Sequence, residues 1–314
     1  MVYLIKLLKQ EVIKQGDKAS ILAVKRLKDL KQDIEIFKKQ NKLNKFQKYI
    51  VNNIYNFDLP TVDFDVQSII IIAVPRPMYA NVEFLYQGKS YKLKSLAVSN
   101  LNNENAFIET EKYLKNLLSP LGYHIKLAPN LPYKRIATRS GLATYGRNNI
   151  CYVAGMGSSL TLVAYYSDIR CVKDDWTIVK KSPSCTNCKA CINSCPTNAI
   201  KEHEFLIDNN KCLSYFNESP GKFPHWIPLS AHHCIYDCLK CQIICPMNKK
   251  YINNVIGPIK FTEQETSQIL AKVDYKQFSM QLQRKVDILG MQDWLAAIPR
   301  NLLVLFKAYK YKSQ

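Results

Sequence analysis

Eleven cysteines occur in 314 residues, and nine of them fall from Cys185 to Cys245. The first run reads Cys185-Thr-Asn-Cys188-Lys-Ala-Cys191-Ile-Asn-Ser-Cys195-Pro196. Three cysteines spaced by two residues can wrap one face of a cubane, and the fourth, three residues on, points away toward a second cluster. The proline after it ends the ligand turn and offers no amide hydrogen. The second run is Cys238-Leu-Lys-Cys241-Gln-Ile-Ile-Cys245-Pro246. It lacks the first cysteine of a triplet. Cys234 stands one residue too far upstream, so Cys212 is the better replacement. A zinc site needs only four ligands and rarely uses such a triplet. The pattern therefore predicts two [4Fe–4S] clusters. Exchange of the fourth ligand gives one cluster to Cys185, Cys188, Cys191 and Cys245. The other falls to Cys195, Cys212, Cys238 and Cys241. Cys151, Cys171 and Cys234 are left over and read as buried, inert thiols.

Cysteines this crowded, in a chain that opens without a secretory signal pattern, argue for metal rather than disulfides. The N-terminal apolar patch is interrupted too soon by lysine to be a signal peptide. No run of 18 apolar residues offers a membrane span. The expected location is cytoplasmic, with no membrane partner. Lys and Arg exceed Asp and Glu by 19 charges. Two clusters with their thiolates would lower this to about +15. That excess suits nucleic acid, an anionic cofactor, an acidic redox partner or a lysine-rich solvated surface.

Apolar spacing predicts helices through Leu4–Val12 and again through Ile21–Leu30, in a stretch of 50 residues with 13 basic and 5 acidic side chains. Ser68–Val74 reads as a buried strand. Val82–Tyr86 and Ser90–Leu93 flank Gln87-Gly88-Lys89 as a hairpin. Glu109–Leu118 reads as a helix stopped by Pro120 and Gly122, and Ser159–Tyr166 as a strand. Thr262-x-x-Glu265 is a capping box opening a helix to about Val273. Helices around Lys276–Leu289 and Met291–Tyr309 follow, with Pro299 a kink or break. The expected class is α+β. An N-terminal mixed α/β domain over 1–175 is followed by a bacterial 2[4Fe–4S] ferredoxin-like domain over 176–250 and C-terminal helices over 251–314.

Ser184–Ile200 (SCTNCKACINSCPTNAI), Lys211–Tyr215 (KCLSY) and Ile235–Asn248 (IYDCLKCQIICPMN) resemble the cobalamin-dependent epoxyqueuosine reductases, which share cofactor logic with reductive dehalogenases. Ser140-Gly-Leu-Ala-Thr-Tyr-Gly-Arg-Asn-Asn149 is similar to that family's AGLGWxGKNT segment. Gly157-Ser158 is similar to its GS before a strand, and Trp294–Asn301 (WLAAIPRN) to its WLRN. The resemblance covers about residues 60–310. It implies a base-off cobalamin in the N-terminal, corrinoid-binding-type domain, met by Gly141, Gly146, Arg147, Asn148, Gly157 and Ser158. It also implies electrons passing from a low-potential donor of ferredoxin or flavodoxin type, through the clusters, to cobalt, and tRNA as partner.

The chain departs from that pattern at one place. The family's proton-donating Asp lies about a dozen residues before its AGLG, yet here no Asp or Glu occurs from Lys112 to Ser167. Seven Lys or Arg occur there instead. Tyr133, Tyr145 and His124 remain as acids. Tyr133 beside Lys134 and Arg135 would mimic the tyrosine–cation donor of reductive dehalogenases, a nearby cation lowering the phenol's pKa. The resulting expectation is a diverged paralogue, an iron–sulfur reductase acting on an unidentified substrate. The alternatives are a true epoxyqueuosine reductase acting on tRNA, and a non-catalytic electron carrier or corrinoid reactivator.

Overall fold

The computed structural model describes residues 2–40, 43–99, 105–202 and 206–312. In chain order the main elements are α1 (Val2–Lys14), β1 (Lys18–Ala23), α2 (Arg26–Lys39), α3 (Lys45–Tyr49), β2 (Ser68–Pro75), β3 (Tyr79–Tyr86), β4 (Lys89–Ser95), α4 (Ala106–Leu118), β5 (Ile125–Leu127), α5 (Tyr133–Arg139), β6 (Thr144–Tyr145), β7 (Cys151–Tyr152) and β8 (Leu160–Ser167). They continue as α6 (Ala190–Ser194), α7 (Leu213–Glu218), α8 (Lys240–Ile243), β9 (Val255–Phe261), α9 (Glu263–Leu270), α10 (Met280–Ile288) and α11 (Ile298–Lys312). The chain is mixed α+β, and it divides into two units. One contains Met1–Pro75, Asn105–Cys188 and His203–Asn209; the other contains Arg76–Glu104, Lys189–Glu202 and Asn210–Gln314.

In the first unit an antiparallel sheet runs β1-β2-β8-β5. Successive strand side chains point to opposite faces, and β2 shows why four isoleucines stand in a row. Ile70 and Ile72 join one core with Leu8 of α1 and Leu114 of α4. Ile69 and Ile71 join the other with Leu30 of α2 and Ile136 of α5. Helices cover both faces, so no position in the run can be polar. The expected helix through Ile21 is a strand instead. Ile21 and Leu22 pair with β2 and enter opposite cores, and the helix starts only at Arg26.

The second unit holds the sheet β4-β3-β9. The expected hairpin is present, with Gln87 and Gly88 both at positive φ, as a tight two-residue turn requires. Its place in the chain's organisation differs from the three-part division expected from sequence. β3 pairs in parallel with β9, setting Val82 against Ile259 and Phe84 against Phe261. The hairpin's buried face then packs on Leu305 and Phe306 of α11. A hairpin with one apolar face needs such a cover, and the C-terminal segment supplies it. Thr262 caps α9 through the capping box read from sequence. Pro299 neither kinks nor breaks a helix. It sits in the first turn of α11, where a missing amide hydrogen costs nothing. Among the described residues no helix is long and apolar enough to cross a membrane.

Beside the cysteines, Leu213, Ile227 and Ala231 form a small apolar cluster with Cys238 packed against it, while Ile235 and Tyr236 join the larger core of this unit. Polar clamps hold the loops there. The Asn301 amide, from the WLAAIPRN segment, donates to the carbonyls of Asn217 at 2.7 Å and Ile235 at 2.9 Å. Asn301 is fully buried. Arg300 donates to the carbonyls of Phe216 and Gly221 and lies over the Phe223 ring. Replacing Asn301 by Leu strands two buried carbonyls, a change that costs about 1–3 kcal/mol. Urea unfolding of N301L should show a lower midpoint with an unchanged slope; an unaltered midpoint would show that the clamp does not matter to stability.

Candidate functional site

In the first unit, the segment Thr144–Tyr152 folds back on itself as β6 and β7 pair. The Gly146 amide donates to the Ile150 carbonyl at 2.8 Å. Glycine is required there, because a Cβ would stand 2.5 Å from the Tyr152 ring and 2.7 Å from Asn148 Oδ1. Asn148 donates to the Tyr152 hydroxyl at 2.9 Å. This turn contacts the segment that bears Cys185. Tyr145 exchanges backbone hydrogen bonds with Lys180 and Ser182. The Arg147 amide donates to Cys185 Sγ at 3.4 Å, and its guanidinium donates to the Cys185 carbonyl. Amide hydrogens aimed at cluster sulfurs are one of the means by which proteins set cluster potentials.

Of the six residues expected to face a corrinoid, Gly146, Arg147 and Asn148 thus build this turn and its link to Cys185. Gly141 closes α5 at positive φ with open space where a Cβ would be. Gly157 bends the chain, also at positive φ, before the buried Ser158 and β8.

A cavity of about 510 Å³ lies beside the turn. Lys134 and Arg135 of α5, Tyr145, Asn149 and Lys181 line it, together with Phe37 and Gln40 of α2, Gln47 of α3, and Tyr55. No carboxylate among the described residues lines it. Desolvation raises the phenols of Tyr55 and Tyr145, so both keep their protons. The nearest acid to α5 is Asp33 of α2. It receives Arg135 Nε at 2.8 Å and Arg139 Nε at 2.8 Å. Burial alone would raise its pKa, but the hydrogen bonds from Arg139 and Arg135 outweigh burial and hold the carboxyl below its usual range. Asp33 is an anchor for α5 with no proton to give.

Tyr133 does not form the tyrosine–cation group expected from its neighbours. Its hydroxyl is buried without a hydrogen-bond partner, and its ring packs on the core between β2, β8 and α5. Lys134 turns to the Asn149 carbonyl at 3.2 Å and Arg135 to Asp33. Burial pushes the Tyr133 phenol up to about 12, opposite to the expected direction. His124 pairs with Asp168 at 2.7 Å and stacks on Phe64, away from the cavity lining. Of the three acids considered from sequence, Tyr145 is the one in the cavity. Gln40, Gln47, Tyr55 and Lys181 went unnoticed in the sequence, because they come from segments without a motif.

In the second unit, Cys195, Cys212 and Cys238 lie within electrostatic reach of one another. Cys195 Sγ accepts the Ala199 amide at 3.3 Å. Cys212 stands just before α7, and Cys241 lies within α8. Burial pushes the Cys238 thiol up to about 12, and the neighbouring Asp237, Cys212 and Cys195 add to the rise. Such thiols ionise only if a strongly positive group joins them. Asp237 and Leu239 flank Cys238 at positive φ, a strained backbone of the kind found at ligand clamps. His233 Nε2 lies 2.7 Å from the Cys238 carbonyl. Glu218 of α7 is raised to about 8, by burial and then by Asp237. All eleven cysteines are free thiols. Among the described residues, no three His, Cys, Asp or Glu side chains converge at single-ion spacing. An all-thiol donor set of this size suits iron–sulfur clusters. Of the other ligand set, Cys185 and Cys188 belong to the first unit, and Cys191 and Cys245 to the second.

Residues 184–248 match the 4Fe-4S double cluster binding domain family. An epoxyqueuosine reductase from Aliivibrio fischeri is 35% identical over 133 residues, which are 41% of this chain and 34% of that protein. Over these spans the chain is similar to epoxyqueuosine reductases. The alignments to the first curated relatives span about a third of those proteins' length, 31% and 34%. The fold agrees over nearly the whole chain. An epoxyqueuosine reductase from Bacillus subtilis, with its catalytic Asp loop swung out of the active site, has a TM-score of 0.64 at 16% identity, covering 99% of this chain and 83% of that one. Another, crystallised with a tRNA-Tyr stem loop modified with epoxyqueuosine, has a TM-score of 0.63 at 16% identity, covering 99% and 83%.

Leftover thiols behave as packing groups. Cys151, Cys171 and Cys234 are buried, and burial raises each thiol's pKa. Anaerobic reconstitution should therefore load about eight iron and eight sulfide per chain. Cys212→Ala should lose roughly half of them, whereas Cys234→Ala should keep all. A wild-type value near four iron would contradict the second cluster.

Proposed function

We propose that this protein is an iron–sulfur epoxyqueuosine reductase that acts on tRNA. The observation that carries the proposal is the double-cluster segment set within a chain whose curated relatives bear that name. The solved homologue holding an epoxyqueuosine-modified stem loop supports tRNA as the substrate carrier, and the basic charge of this chain suits a polyanion. These relatives favour epoxyqueuosine over the unidentified substrate expected from the missing Asp.

A corrinoid is the second cofactor of this proposal, and it would supply a strongly reducing metal centre. Gly141, with open space where a Cβ would be, is a residue here that would let a broad flat ligand approach. Arg147 and Asn148 would act indirectly, by holding the turn and Cys185.

The substrate nucleoside would occupy the cation-lined cavity of the first unit. Aromatic and amide groups there can receive a base, and Lys134 and Lys181 favour a nearby phosphate or a developing oxyanion. Removal of an epoxide oxygen as water consumes two electrons, which the cofactors would supply, and two protons, the first of which goes to the alkoxide formed as the ring opens. Tyr145 supplies that first proton in this proposal. Burial keeps its phenol protonated, and a departing alkoxide is basic enough to take a proton from a phenol. Lys134 and Lys181 would stabilise the phenolate left behind.

General acid help of this kind is usually worth about 10²–10⁴-fold in rate. In single-turnover reduction of epoxyqueuosine stem loops by the loaded enzyme, Tyr145→Phe should fall by a factor in that range. Tyr133→Phe should change the rate little. Equal rates for Tyr145→Phe and wild type would remove Tyr145 from this role.

A further inference from the structure

We propose that a lysine-rimmed groove in the second unit is the docking site for an acidic one-electron carrier protein. The groove has a volume of about 1160 Å³. Its rim carries Lys92 and Lys94 of β4, Lys240 of α8 and Lys260 of β9. The single carboxylate in its lining, Glu83, is already paired with Lys260 at 3.6 Å.

One wall of the groove is made by the helices that bear cluster ligands. Asn193 and Ser194 line it immediately before Cys195. Lys240 lines it next to Cys241, and Ile243 and Ile244 immediately before Cys245. Ile244 is 49% exposed. An apolar spot ringed by cations, set against the ligand-bearing backbone, is what a brief electron-transfer encounter needs. Charge steers and orients the partner, a small apolar contact holds it briefly, and the electron has a short path. Nucleic acid fits this groove less well. Among the described residues its lining holds no arginine to grip phosphates bidentately.

The transfer balances simply. The reduced carrier loses one electron, and a [4Fe–4S] cluster passes from the 2+ to the 1+ state. No bond breaks, and no proton is required. The inference rests on the reading of the protein as a reductase supplied with low-potential electrons. It does not depend on the substrate.

The test uses the full reconstituted chain and reduced flavodoxin, an acidic one-electron carrier, with cluster bleaching followed by stopped flow. The triple variant Lys92→Glu, Lys240→Glu, Lys260→Glu should lower the second-order rate constant by about tenfold or more. The corresponding triple Gln variant should lower it less. Photoreduced deazariboflavin, small and uncharged, needs no docking and should reduce all three proteins equally fast. The wild-type rate with flavodoxin should also fall as salt rises. Unchanged flavodoxin rates in the Glu variant would overturn the proposal. So would equal losses with deazariboflavin in both triple variants, since the clusters would then be disturbed. Weakened tRNA binding with an intact flavodoxin rate would assign the groove to nucleic acid instead. Epoxyqueuosine turnover does not enter this readout, so the proposal fails or stands apart from the substrate assignment.

Discussion

Nine cysteines are crowded into sixty-one residues, beside the small apolar cluster of Leu213, Ile227 and Ala231. Burial makes each bare thiolate costly, and neighbouring thiolates make it costlier, as the raised pKa of Cys238 shows. Bound iron resolves the conflict by supplying positive charge and a rigid centre together. Much else in the second unit answers the same constraint. The clamps of Arg300 and Asn301 replace a hydrophobic core with hydrogen bonds to loop carbonyls. The positive φ angles at Asp237 and Leu239 are tolerated where a ligand turn must be tight. In the first unit, the Arg147 turn does the same for Cys185.

The cysteine spacing was legible because it is a local code, in which ligand geometry depends on residues three or four apart. The β2 strand, the hairpin and the α9 capping box were legible for the same reason. What escaped the sequence was non-local. Ile21 has helical spacing with Val24 and Leu27, yet pairing with Ile70 makes it a strand residue. The hairpin's partner lies about 170 residues downstream in β9, and no local pattern announces it. Pro299 was read as an interruption because proline is permitted in helices chiefly at their start, and the start of α11 was not marked by an obvious cap.

The candidate site shows the same division. Sequence reasoning found the stretch from Lys112 to Ser167 without a carboxylate, and among the described residues none lines the cavity beside it. Proximity in sequence then misled. Tyr133, Lys134 and Arg135 are adjacent on one helix, so their side chains point in different directions, toward the core, the Asn149 carbonyl and Asp33. Of the three acids read from the sequence, the one that lines the cavity is Tyr145, on the short β6–β7 pair. A carboxylic acid in a pocket rimmed by Lys134, Arg135 and Lys181 would be held ionised. A buried phenol keeps its proton, which is why Tyr145 takes the acid's role in the proposed reaction.

The most direct test of this account is made in cells. The chain is expressed in a bacterial strain lacking its own epoxyqueuosine reductase, and tRNA nucleosides are measured by mass spectrometry. The account predicts that queuosine reappears and epoxyqueuosine declines. Persistent epoxyqueuosine, with the protein present and its clusters loaded, would contradict it.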